Sequence, residues 1–146
     1  MDVRSTRKLI PDQSRQLAAL AERTRTTLAT FAAETVYYDV TALQLLDEWV
    51  EFRLQQDPDP SSETRLLWAI FLGETLRRQH AGVWILQELN TGEKALAVSC
   101  PLQDAGNETV DIWGPVNRRI DEGIAASLTY FYMLTSIRLR QPPQGS

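Results

Sequence analysis

The stretch "FLGETLRRQHAGVWI", residues 71–85, changes its periodicity halfway along, and that change decides the fold. Up to Gln79 the apolar residues recur as on a helix. After Gly82 they alternate, with Val83, Ile85 and Leu89 on one face of a strand and Trp84 and Leu86 on the other. Between the two patterns stand Glu74, Arg77, Arg78 and the chain's single histidine, His80. They are either the side chains of a site or the charged end of a helix that hands the chain to a strand. Just upstream, "LLWAIFLG" is apolar on every side, which for a helix from about Ser62 to Gln79 means burial at the centre of a domain. Gly73 costs about 1 kcal/mol relative to alanine inside a helix, so its expected use is to admit another element at close range.

Downstream, Asn90-Thr91-Gly92 is a tight-turn signal leading to a second strand from Lys94 to Cys100, which Pro101 ends. A polar loop, "LQDAGNE", precedes a short third strand through Val110 and Ile112. "WGPVNRRIDEG" then turns the chain, with Pro115 suited to the first turn of a helix and Gly123 interrupting or ending that helix. From Ile124 to Leu139 the pattern is helical again, with Leu128, Phe131, Tyr132, Thr135 and Leu139 facing the core.

Upstream of the central helix, two more helices are expected. One starts at Asp12 as cap and runs to about Ala33, with a thin stripe of Leu17, Leu20, Thr24, Leu28 and Phe31 that suits an outer position. The other starts at a capping box, Thr41-Ala42-Leu43-Gln44, buries Leu45, Leu46, Trp49 and Val50, and stops near Gln56 before "DPDP". The sequence therefore predicts an α+β fold: three N-terminal helices, a three-stranded antiparallel meander and a closing C-terminal helix. Residues 1–11 read as an N-terminal arm, 12–140 as a single domain and 141–146 as a disordered tail.

The 146 residues are 43% apolar and 23% charged, ordinary values for one globular domain. The net charge of -4 argues against nucleic acid as a partner. Charge is uneven: residues 1–30 carry six basic and three acidic groups, whereas residues 31–63 carry eight acidic groups against Arg53 alone. Two helices packed side by side would account for this. No apolar run approaches the roughly 20 residues of a membrane span, and the N-terminus has no apolar core of a secretory signal. A single cysteine, Cys100, leaves no intrachain disulfide, so a cytoplasmic setting is expected.

Chemistry-bearing motifs are few. No nucleophile elbow, P-loop, dinucleotide fingerprint or zinc-protease motif occurs, and no cofactor or metal site is implied. Glu74 stands three and four positions before Arg77 and Arg78, the right spacing for ion pairs on one helix. Arginines in a last turn also interact favourably with the helix dipole, so the three residues are read as internally neutralised. The alternative is an anion-holding notch that joins Glu74, Arg77 and Arg78 to Arg118 and Arg119, with Trp84 or Trp113 as a wall. Against that notch, Arg119 is expected to pair with Asp121 or Glu122, leaving Arg118 solvated. His80 reads as a helix-end residue and Cys100 as a small buried one. No catalytic residue is assigned.

The order of motifs, "GETLRR" closing a buried helix, "GVW" opening a strand and "GPVNRRIDEG" before a helix with "YFY", resembles a group of small bacterial domains of unknown function. The matching positions are Gly73, Glu74, Gly82, Trp84, Pro115, Arg119, Ile120 and Gly123, and the likeness spans roughly residues 66 to 132. Gly114 departs from it. The group has no established activity, so the resemblance implies a fold and no mechanism. The resulting expectation is a non-enzymatic protein-binding module of the immunity-protein, chaperone or adaptor kind. Its partner would be basic if it docks on the acidic row Asp47, Glu48 and Glu51. Neither nucleic acid nor membrane is expected, and a homodimer is compatible with the thin stripe of the first helix. The competing reading is a small anionic-ligand site or hydrolase between the third helix and the sheet.

Overall fold

The computed structural model describes residues 2–140. Its centre is the helix Ser62–Gln79, here α3, in which every residue from Trp68 to Leu76 is buried. Ser61 caps it, accepting from Thr64 N at 3.2 Å. A helix enclosed on all sides needs neighbours on all sides. Pro11–Ala32 (α1) lies along one flank, the sheet covers another, and Trp113–Glu122 (α4) closes a third. Val40–Gln56 (α2) packs against α1 and, on its far side, against Leu128–Arg140 (α5).

The sheet is antiparallel throughout, with strands in chain order: Val3–Lys8 (β1), Val83–Leu89 (β2), Lys94–Pro101 (β3) and Asn107–Asp111 (β4). The alternation expected for β2 fixes which face is buried. Trp84 opposes Val98, which opposes Val110, and these three with Cys100 line the face turned to the core. Gly92 takes a positive φ of 88° in the hairpin between β2 and β3, a conformation that glycine adopts without strain.

The α+β class, the central helix and the meander agree with the sequence reading. Several finer expectations need correction. The segment read as an N-terminal arm contributes an edge strand, so the sheet has four strands where three were expected: β1 pairs with β2, from Val3 opposite Leu89 to Lys8 opposite Ile85. All six residues of β1 are exposed, so the strand is held by its backbone and leaves no apolar signature to read. Its basic side chains suit a sheet edge, where charge discourages further pairing. The turn after the meander is a full helix, α4. Asp111 Oδ1 accepts from Trp113 N at 3.1 Å at its start. The closing helix is also split: Gly123–Ala126 is a short 3₁₀ turn, and Ser127 is extended before α5 begins.

Two helix starts shift as well. α1 begins with Pro11 at its first position, where the missing N–H costs nothing, and Asp12 lies inside the first turn. α2 is capped by Asp39, which accepts from Ala42 N at 3.0 Å, in place of Thr41. Most of the α1 stripe is covered by α3 within the chain, with Leu17, Ala21, Thr24 and Leu28 buried, whereas Phe31 is exposed and lies against Trp49 and Phe52 of α2. The tail 141–146 lies outside the described residues.

Candidate functional site

Glu74 is wholly enclosed, and its surroundings distinguish a site from a neutralised helix end. Oε1 accepts from Arg77 Nε at 2.7 Å and from Trp84 Nε1 at 3.0 Å. Oε2 accepts from Arg77 Nη2 at 2.8 Å and from Arg78 Nε at 2.9 Å. Four donors fill the four lone-pair positions of the carboxylate, which leaves none for a substrate proton. Burial pushes its pKa upward, but the bonds from Arg77, Arg78 and Trp84 together outweigh that and hold it below the ordinary value of 4.5. Arg78 also lies 3.9 Å from the centre of the Tyr38 ring. The Tyr38 hydroxyl donates to Glu22 at 2.8 Å. The indole that reaches Glu74 passes directly over Gly73, so the glycine admits Trp84 as its position in the helix suggested.

The structure brings Glu74, Arg77, Arg78 and Trp84 into one cluster and leaves Arg118 and Arg119 out of it. Arg118 Nη1 and Asp111 Oδ2 both lie over Gly114, the position where the motif departs from the resemblance. Arg119 is fully buried and does not pair with Asp121 or Glu122. It donates instead to Asp47 Oδ1, to the Asp47 carbonyl and to Glu51 Oε1, each at 3.1 Å.

Asp47 is the residue that sequence reasoning misplaces. The acidic row of α2 sets it toward a partner, yet its side chain is turned inward. There it accepts from Leu128 N at 2.9 Å, Thr129 N at 3.0 Å and Thr129 Oγ1 at 2.7 Å. An aspartate of one helix thus caps the start of another, where free N–H groups and the positive end of the dipole favour a carboxylate. A signal is present: Asp47 stands four residues after Leu43 and three before Val50, on the buried stripe. What the spacing cannot supply is the partner, 81 residues away.

The exposed thiol expected of a nucleophile is also lacking. Cys100 is buried against Gly82, and burial raises its pKa to about 11. His80 Nε2 lies 2.8 Å from Ser136 Oγ, a pairing with no sequence signal. No carboxylate bonds the other ring nitrogen among the described residues, so the imidazole lacks the orienting group that a general base requires. The pair fastens the end of α3 to α5. Among the described residues, no group of three or more His, Cys, Asp or Glu side chains is placed to hold a metal ion. No helix among them is long and apolar enough to cross a membrane.

With the buried charges engaged internally, the outer surface carries the remaining signal. α5 is apolar on both sides. Leu128, Tyr132 and Leu139 face the core, while Tyr130, Met133, Leu134 and Ile137 form an outward stripe, each between 45% and 59% exposed. Ile124, from the preceding 3₁₀ turn, is exposed as well. Two shallow grooves flank this stripe along the seam with α2. One, of about 580 Å³, is lined by Glu48, Glu51, Phe52, Ile124 and Ser127 among others. The second, of about 490 Å³, runs past Met133, Ile137 and Arg140. No family model, curated protein or solved structure matches the chain.

Proposed function

We propose that this protein is a non-enzymatic protein-binding module whose contact face is the outer side of α5 together with the acidic side of α2. The observation that carries this reading is the stripe Tyr130, Met133, Leu134 and Ile137. Residues spaced i, i+3, i+4 and i+7 on one helix normally face a core, yet here they face outward. Contiguous apolar surface of this kind marks interaction sites, whereas scattered exposed residues do not. Each of these side chains is already about half covered, so covering the rest contributes about 1 kcal/mol apiece, and several together anchor a complex. Beside the stripe, Glu48 and Glu51 add negative charge that Arg119 neutralises only in part, which favours a partner with a basic flank. Glu74, with no lone pair free, argues against the hydrolase alternative.

The test is affinity capture from the native host, with the wild-type chain and a Met133→Glu/Ile137→Glu double variant as parallel baits. The reading expects a stoichiometric protein, either foreign or an untagged second copy, that the wild type retains and the variant loses while keeping its fold. A partner held equally by both baits would sink it, as would the lack of any stoichiometric partner.

A further inference from the structure

We infer that the occupant of this face is a second copy of the same chain, with the two α5 helices packed antiparallel across a twofold axis. This rests on the reading of α5 as a contact face and adds the identity of what covers it. The face calls for an apolar ridge with a basic flank, and α5 itself fits that description. Its outward ridge runs from Tyr130 to Ile137, and Arg140 stands one turn beyond it.

Position and charge both select the antiparallel arrangement. The midpoint of the ridge falls between Met133 and Leu134. In a twofold antiparallel pair, residues equidistant from that midpoint meet, so Arg140 lies opposite Ser127 of the other copy. Both are six and a half residues from the axis, about 10 Å at 1.5 Å per residue. Ser127 lines the same groove as Glu48 and Glu51. The guanidinium of each copy therefore meets the carboxylates of the other, twice per dimer. A parallel pairing would set Arg140 against Arg140 and Glu48 against Glu48, which like-charge repulsion disfavours. The other arginine at this end, Arg138, is already held by Glu108 at 2.8 Å and does not compete for the groove. Because the contact is isologous, it closes on itself and leaves no free apolar end.

Sedimentation of the full chain over a wide concentration series tests this. The wild type is expected to associate to a dimer and no further. Met133→Glu is expected to sediment as a monomer with unchanged circular dichroism. Arg140→Glu should weaken the dimer roughly tenfold, since two exposed ion pairs are lost at once. Adding Glu48→Arg to Arg140→Glu should recover most of that loss, a reversal that general destabilisation cannot mimic. A wild type that stays monomeric throughout would overturn the inference. So would a dimer that Met133→Glu leaves intact, or a double charge reversal with no recovery. A monomer that still loses a captured foreign partner when α5 is altered would reject the second copy while keeping the contact face.

Discussion

Gly73 and Trp84 share one volume at the heart of the molecule, and neither residue can be understood alone. A β-carbon added at position 73 would press into the indole, with Cζ2 and Cζ3 both at 3.0 Å. The ring cannot retreat without breaking its bond from Nε1 to Glu74. Alanine in place of glycine should favour a helix by about 1 kcal/mol, whereas overpacking a filled core costs about 1–3 kcal/mol. Gly73→Ala is therefore expected to lower the melting temperature by a few degrees, read by differential scanning calorimetry, together with a change in tryptophan fluorescence. A more stable variant would mean that the indole has room to shift.

Among the elements, Asp47 and Arg119 tie three helices together. Asp47 on α2 accepts from the first two amides of α5 and from Arg119 of α4, and both side chains are shielded from water. The pair is no simple gain, because both charges were removed from water to form it. Its removal is another matter. Asp47→Ala would strand a buried guanidinium and uncap α5, so a loss of about 3–5 kcal/mol is expected, measured by urea denaturation. Hydrogen exchange should localise the change to the start of α5. The acidic row of α2 is thus two kinds of residue: Asp47 holds the fold, while Glu48 faces outward. Linear spacing sets Asp47 on the buried stripe, yet the count of acidic groups along the chain points the opposite way. The N-terminal strand is illegible for a different reason. Its six residues bury nothing, so only the hydrogen bonds of β2 reveal it.

For the molecule as a whole, stability should fall in two stages as pH is lowered. Burial, with Arg140 nearby, lowers the pKa of His80 below its usual 6.5. Stability from a neutral, half-buried imidazole is full above that value and is lost as pH falls from it towards the folded pKa. The carboxylates follow. Bonding to Arg25, opposed by burial and helped by Tyr38, holds Glu22 at about 2, and the Glu74 carboxyl is also held below its ordinary 4.5. Their contribution is present above 4.5 and fades as pH falls further. Melting temperature recorded from pH 8 to pH 3 should therefore begin to drop near 6.5 and fall faster below 4.5. His80→Gln, which can still reach Ser136, should abolish the first stage and leave the second. An unchanged profile in that variant would exclude His80 as its source.

The class of fold, the buried central helix, the meander and the local neutralisation of Glu74 by Arg77 and Arg78 are all written in the linear chain. Each of these follows from periodicity or from spacing within a few residues, where side chains meet because the backbone geometry is regular. It took the packed molecule to establish that Trp84 completes the Glu74 cage, that Asp47 caps a distant helix, that Arg119 turns to α2, and which apolar face of α5 the other described elements leave uncovered. Those pairings join residues far apart in the chain. Long-range burial depends on how whole elements stack, and an apolar residue in sequence looks the same whether another helix covers it or nothing in its own chain does.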